Sequence, residues 1–433
     1  MQNKSVAALF IIFLLTPAII SGQKQVNSPY SRFNMGSIVP TGSYRSLGMG
    51  GTGVAMRDNN SIYFVNPASY SSVDTTSFIL DFGADYSTSK LYNGTRNYRS
   101  DDMNFGHFMI AFPLSKHIGF AAGLIPVSNG YYNLQQITKS GDSNYDPIAG
   151  EIISTHKGDG SFSNFFVGSG VRLTKNISVG ANLSILFGEI DRINQFEFTD
   201  VNMFNQYNLE KLKIKGANLN YGIQYTGYLK NDYFITAGVA YTSAHKYNSE
   251  FIKFSERSTA YSISAYSPDT LYYISSSSKD STKFPSTLRV GLSFGKKDKF
   301  TVGVDYVYTD WSNGFIHGSN RGYLTNSRSV LFGAEYVPDK YSNVSLLKRA
   351  RYRVGGHFAN EYLTINGAQI KEYGASLGFA TRMRSYSLSE ATFFFDYTKK
   401  TGEFSKGLHN ESIYSIGLSL NLYDFWFVKR KYD

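Results

Sequence analysis

The 433-residue chain predicts an all-β fold: a fourteen-stranded antiparallel transmembrane β-barrel. Three observations predict it. Fourteen segments alternate apolar or aromatic residues with small polar ones at period two, the mark of strands whose two faces differ. Each is close to or longer than the ~9–11 residues that a tilted strand needs to cross a bilayer. The connections alternate between short and long, as they do where tight periplasmic turns face longer outside loops.

Composition excludes the competing classes. Charged residues make up 18% of the chain, below the ~25% of ordinary soluble domains. Tyr 34 and Phe 33 against Trp 2, with 40 glycines, are too many rings for a disordered chain. No run approaches the ~20 apolar residues of a membrane helix repeated along a polytopic protein. The absence of cysteine rules out a disulfide scaffold, an iron–sulfur protein and a cysteine-ligated zinc domain. The net charge of +10 raises nucleic acid as a partner, but it is scattered. Only Lys296-Lys297-Asp298-Lys299 and Lys429-Arg430-Lys431 form short basic tracts, without the basic and aromatic face that nucleic acid requires.

The elements follow in order. Lys4 precedes the apolar run Val6 to Leu15, then Thr16-Pro17 and the small pair Ser21-Gly22. This is the layout of a secretory signal over residues 1–22, cleaved near Gly22. Residues 23–75 are glycine-rich and weakly periodic, and predict turns with at most short helices. Residues 76–433 carry the alternation. Strands are expected near 76–87, 102–113, 118–130, 162–173, 177–189, 212–229 and 233–244, then near 285–295, 299–310, 327–337, 350–359, 372–382, 390–398 and 411–427. In one of them Leu288, Val290, Leu292 and Phe294 alternate with Thr287, Arg289, Gly291 and Ser293. The first set suits lipid. The second suits a lumen, where Arg172, Arg289, Arg351 and Arg353 are tolerated. Hydrocarbon demands closure, because an open sheet edge leaves several kcal/mol per unpaired group. The long connections 131–161, 190–211 and 245–284 read as loops, and 338–349 is longer than a tight turn.

Several runs carry a family resemblance. Leu47-Gly48-Met49-Gly50-Gly51-Thr52-Gly53-Val54-Ala55 leads to Asn66-Pro67-Ala68. Met109-Ile110-Ala111-Phe112-Pro113-Leu114 precedes Ile118-Gly119-Phe120-Ala121-Ala122-Gly123. Phe284-Pro285-Ser286-Thr287-Leu288-Arg289-Val290-Gly291-Leu292-Ser293 is followed by Val304-Asp305-Tyr306 through Asp310-Trp311-Ser312. In order and spacing the chain, from about Ser28 onward, resembles the long-chain fatty-acid transporter (FadL/TodX) family of outer-membrane proteins. It departs from that pattern at Ser28-Pro29-Tyr30-Ser31-Arg32-Phe33 and in the residues after Phe427. The resemblance implies that residues 23–75 form a plug inside the lumen. It places Gly48, Gly50, Gly51, Gly53, Asn66, Pro67 and Ala68 in that plug, along the ligand path.

The third strand ends in Ile125-Pro126-Val127-Ser128-Asn129-Gly130. Proline cannot donate to a ladder, so Pro126 marks an edge, a bulge or a bend. The family bends this strand inward and opens the wall sideways, and Pro126 falls at that bend. A rim bulge without function is the alternative.

Other motifs fail on context. Gly48, Gly50 and Gly53 satisfy G-x-G-x-x-G, but no buried strand precedes them, so a dinucleotide site is not expected. Gly291-Leu292-Ser293-Phe294-Gly295 and Gly374-Ala375-Ser376-Leu377-Gly378 match the hydrolase elbow G-x-S-x-G, yet lie within alternating strands. The seven histidines include no pair at metal-ligand spacing. No cofactor, metal or enzymatic activity is expected, and a lipid hydrolase assembled in space ranks last.

The expectation is a barrel of the bacterial outer membrane, in contact with its lipid, for passive uptake of hydrophobic small molecules such as long-chain fatty acids or aromatic hydrocarbons. Arg172 and Arg351 are candidates to pair with a carboxylate headgroup. The alternative is an accessory subunit of an outer-membrane protein assembly or secretion machine. In that case the long loops and the tail Lys429–Lys431 would engage outer-membrane or periplasmic protein partners.

Overall fold

The computed structural model describes residues 28–94, 97–200, 203–258, 269–319, 321–342, 344–383 and 388–425. The expected signal segment and the basic tail lie outside the described residues. The amino segment contributes one short strand, β1 (Ser37–Ile38). After it come β2 (Ser77–Tyr92), β3 (Asn97–Pro113), β4 (Ile118–Asn129), β5 (Tyr132–Thr138), β6 (Ile152–Arg172), β7 (Ile177–Phe198) and β8 (Asn205–Tyr228). Next are β9 (Tyr233–Thr242), β10 (His245–Ser258), β11 (Asp269–Phe284), β12 (Thr287–Lys296) and β13 (Phe300–Thr309). The chain ends with β14 (Ser327–Tyr336), β15 (Arg351–Ile365), β16 (Ala368–Arg382), β17 (Glu390–Thr401) and β18 (Asn410–Phe425).

All neighbouring strands pair antiparallel, and β18 pairs with β2 from Asn410↔Tyr92 to Phe425↔Ser77, which closes the ring. β5 continues β4 along β6, β10 continues β9 along β8, and β11 runs into β12. With each of those counted as one stave, the wall has fourteen. The lipid face is legible in exposure: Leu288, Val290, Leu292 and Phe294 are 39–51% exposed, whereas the intervening Ser293 is 3% exposed. A belt of such residues around a closed ring has hydrocarbon as its solvent.

The described strands match the expected ones at their short-turn ends, and β2, β3, β6, β7, β8, β15, β16 and β17 run longer at the other. β6, β7 and β8 rise about seven to ten residues beyond the bilayer pattern. The stretches that read as loops are strand in good part: 132–138 and 152–158 pair with each other, 191–196 pairs with 206–211, and 245–257 pairs with 269–284. Above the lipid both faces of a strand are polar, so the period-two contrast that reveals a strand disappears.

Residues 28–76 run through the interior and are fastened to the wall on most sides. A row of wall glycines makes this possible. Gly119, Gly170, Gly180 and Gly222 are successive cross-strand partners on β4, β6, β7 and β8. A Cβ on Gly180 would stand 2.5 Å from the Pro67 carbonyl oxygen, and one on Gly119 would collide with that of Tyr70. On the opposite side Gly333 and Gly355 pair across β14 and β15, and the backbone of Met49 and Gly50 lies directly against them. Side chains would hold the inner segment several ångströms away. Their absence lets its backbone touch the wall.

This predicts that Gly333→Val, which drives a side chain into the Met49 carbonyl, destabilises the barrel by about 1–3 kcal/mol, the usual cost of overpacking. Gly227→Ala, whose Cβ would meet only ordinary contacts from 3.4 Å outward, should be nearly neutral. Urea unfolding followed by heat-modifiability on gels measures both.

Candidate functional site

The inner segment forms a floor across the lower lumen, pinned by hydrogen bonds to polar side chains of the wall. Asp305 on β13 accepts from the Gly53 and Val54 amides at 2.7 and 2.9 Å. Ser376 on β16 accepts from the Gly50 amide at 2.9 Å, and Ser293 on β12 donates to the Ala55 carbonyl at 2.8 Å. These are the serines of the two G-x-S-x-G matches. Each lies within a strand and serves the floor, with no elbow turn. Asn182 donates to the Phe64 carbonyl and Gln224 to that of Val54, both at 3.0 Å.

The predicted floor residues do what their types allow. Gly50 and Gly51 have φ of 70° and 91°, which only glycine adopts at little cost, and turn the chain out of the one-turn helix Tyr44–Leu47. Gly48 closes that helix and packs against Gly378, while the Gly53 amide is held by Asp305. Fully buried Asn66 donates to the Val54 carbonyl at 2.8 Å and accepts from the Ala68 amide, which opens the 3-10 turn Pro67–Ser72.

A buried ion network locks the floor to one side of the wall. Arg45 meets Asp58 at 2.6 Å and Glu335 at 2.9 Å. Glu335 also receives Arg351 at 2.9 Å and Arg353 at 2.7 Å, and Arg351 reaches Glu390 at 2.8 Å. Three guanidinium groups thus face three carboxylates. Burial alone would raise the Asp58 carboxyl, but Arg45 and Arg351 overcome it and hold the group at about 2.

Above the floor lies a cavity of about 260 Å3. Phe64, Phe166, Tyr247, Phe284 and Trp311 give it aromatic walls, and Arg289 is a cation on its surface. Trp311 is set by a short 3-10 turn that Asp310 caps, and its ring lies 5.0 Å from that of Tyr362. Ile125, Pro126 and Val127 line the cavity on one side, with Gly106 of β3 beside them.

At that side the wall changes. β3 and β4 pair only from Phe108↔Leu124 to Pro113↔Gly119. Two residues further on, the same register would set Gly106 opposite Pro126, which has no N–H to offer. There the β3–β4 ladder stops, and a bulge follows in the pairing of β4 with β6 between Pro126 and Ser128. β1 takes the edge that β3 gives up: Ser37 pairs with Asn129, Ile38 with Ser128, and the Val39 amide donates to the Val127 carbonyl at 2.9 Å. Gly130, next along, donates its amide to the Gly160 carbonyl.

The structure therefore brings Ile125, Pro126 and Val127 to the cavity, and sets Ser128 and Asn129 on the inner strand. It leaves Gly48, Gly50, Gly51, Gly53, Asn66, Pro67 and Ala68 in the floor, none of them lining the cavity. The two arginines expected near a headgroup stand elsewhere. Arg351 is consumed by the ion network, and Arg172 donates to the Ser71 carbonyl at the periplasmic end. Arg289, named only as lumen-facing, is the arginine on the cavity. Alternation tells which face a residue takes but not its height along the barrel.

Glu335→Gln would leave three buried guanidinium groups short of one carboxylate. It should cost ~3–5 kcal/mol in urea unfolding, as expected for a broken buried network. Because the Asp58 carboxyl is depressed, its stabilisation is complete above its ordinary value near 3.8 and is lost as pH falls through about 2. Heat-modifiability should persist to about pH 3 and fail below it, and Asp58→Asn should remove ~2 kcal/mol at neutral pH.

No curated protein matches the chain. Solved structures do, at low identity. A Pseudomonas aeruginosa FadL homologue is 14% identical, with 89% of this chain and 99% of the other covered and a TM-score of 0.57. The Ralstonia pickettii toluene transporter TbuX is 15% identical over 88% and 98%, with a TM-score of 0.57. The monoaromatic hydrocarbon channel CymD is 15% identical over 92% and 100%, with a TM-score of 0.56. These share the closed fourteen-stranded antiparallel barrel fold with this chain. The family model described as BamG matches residues 2–433, and the chain belongs to that family.

Proposed function

We propose that this outer-membrane barrel takes up hydrophobic small molecules without an energy source, capturing them in the cavity and releasing them sideways into the bilayer. The observation that carries this reading is the end of the β3–β4 ladder beside the cavity, with Gly106 and Pro126 on its lining. The bend from Ile125 to Gly130 would frame the exit. The floor from Gly48 to Ala68 would stay in place and turn the path sideways, since so many wall groups hold it. The outer leaflet's polar surface repels apolar solutes, so a protein pocket must receive them before hydrocarbon can. The toluene transporter and the monoaromatic hydrocarbon channel named above support the same class of cargo.

The aromatic walls suit a ring or an acyl chain. Arg289 makes no ion pair among the described residues and would receive a carboxylate at one end of such a molecule. Val127→Trp should fill the exit and lower cellular uptake of both toluene and oleate about tenfold with barrel levels unchanged. Arg289→Met should lower oleate uptake by a similar factor and leave toluene untouched. Unchanged uptake of both solutes in a strain lacking the gene would overturn the reading.

A second reading, an accessory subunit of an outer-membrane protein assembly machine, is supported by membership of the BamG family and by the tall wall that β6 to β11 raise above the bilayer. A stable protein complex in mild detergent, with no apolar ligand in the cavity, would favour it over transport.

A further inference from the structure

The periplasmic mouth holds a second concentration of positive charge, unrelated to the cavity. Arg57 comes from the floor and Arg172 from the end of β6, and both converge on Ser71. Arg57 donates through Nη2 to the Ser71 hydroxyl at 2.9 Å, and through Nη1 to Ser178 at 2.9 Å and to Gln224 at 3.3 Å. Arg172 donates through Nη2 to the Ser71 carbonyl at 2.7 Å. Every one of these acceptors is neutral. Among the described residues no carboxylate lies within ion-pair distance of either guanidinium. Asp58, next to Arg57 in sequence, is committed to Arg45.

In the ion network above, three guanidinium groups are matched by three carboxylates, whereas here two like charges are held together by neutral oxygens. Burial, and then the charge of Arg172, push the Arg57 guanidinium down to about 10. Half-buried like charges gain by acquiring a counter-charge, and guanidinium forks match the oxygens of phosphate in geometry as well as charge.

There is room for one. A pocket of about 590 Å3 opens at this mouth, lined by His117, Arg172, Leu173, Thr174, Lys175 and Tyr228. Lys175 and His117 add cationic or donor groups at its rim. Leu173 and Tyr228, 60% and 68% exposed, give the rim an apolar side at the level of the periplasmic turns. A basic recess with an apolar lip suits a phosphate group that arrives with an acyl chain.

We propose that Arg172, with Lys175 and His117 at the rim and Arg57 behind it on the shared Ser71, forms a phosphate-binding site at the periplasmic mouth of the barrel. The phosphate is that of a phospholipid headgroup in the inner leaflet or a free phosphate ion, and the two sources are separable. The full-length protein would be reconstituted in nanodiscs containing phosphatidylglycerol and phosphatidylcholine, then examined by native mass spectrometry. Inorganic phosphate binding would be measured in detergent by calorimetry.

Retention of phosphatidylglycerol, reduced at least tenfold in Arg57→Gln/Arg172→Gln and displaced by millimolar phosphate, supports the lipid source. Binding of inorganic phosphate with the same dependence, but no retained lipid, supports the free ion. Since Arg57 and Arg172 also hold the floor, Lys175→Gln is the second variant. It touches the rim alone and should weaken binding three- to fivefold with unchanged heat-modifiability. Equal binding in all variants, or no binding of either probe by folded wild-type protein, overturns the site. Copurification of an acidic protein that is lost with the same substitutions, in place of phosphate binding, would also overturn it.

Discussion

The close approach of two backbones governs this molecule. A barrel of fourteen staves has a lumen too wide to be filled by its own inward side chains, so it is left to water or filled by another part of the chain. Here the chain's amino segment fills it, and the wall omits Cβ atoms where that segment passes. Gly119, Gly170, Gly180 and Gly222 on one side, with Gly333 and Gly355 on the other, make shallow channels for peptide backbone. Backbone laid against a wall needs partners for its own N–H and C=O groups. Asp305, Ser293, Ser376, Asn182 and Gln224 are those partners. The many glycines and small polar residues of the inward face are therefore one device with two parts: space, and hydrogen bonds to fill it.

The same logic applies to a single stave, where the β3–β4 ladder ends early. A sheet in hydrocarbon should have no free edge. At Pro126 the chain gives up one ladder bond, and β4 turns to the inner segment for the next ones. The edge of β4 is thereby satisfied by β1, a strand from inside the barrel. The wall gains a place where neighbouring staves are not stitched together, without leaving β4 bare.

Much of this was legible in the sequence. The lipid-facing pattern, the strand number, the alternation of turns and loops and the break at Pro126 all follow from rules that act on a few neighbouring residues. The extensions of β6, β7 and β8, and strands β5, β10 and β11, were not, because strands outside the lipid lose the contrast between faces. The cavity was only partly legible. Its Pro126 side is local chemistry, but Arg289, Tyr247, Trp311 and Phe166 meet there only through closure, which no local pattern encodes. The serines of the G-x-S-x-G matches show the converse. Their strand context excluded an elbow, yet their task of holding Gly50 and Ala55 depends on partners more than two hundred residues away in the chain.

The seam that completes the ring joins β2 to β18, the earliest and the latest of the wall strands. The floor precedes β2 in the chain and bonds to both strands of that seam, Tyr44 to Asp85 on β2 and Asn421 of β18 to the Asn60 carbonyl, so it cannot be fully fastened until the seam forms. Assembly is thus ordered in time: the first-made residues wait, folded around little, for the last-made strand. Such long sequence separations slow folding and leave edges exposed meanwhile. A newly exported copy of this chain depends heavily on whatever shelters it before insertion.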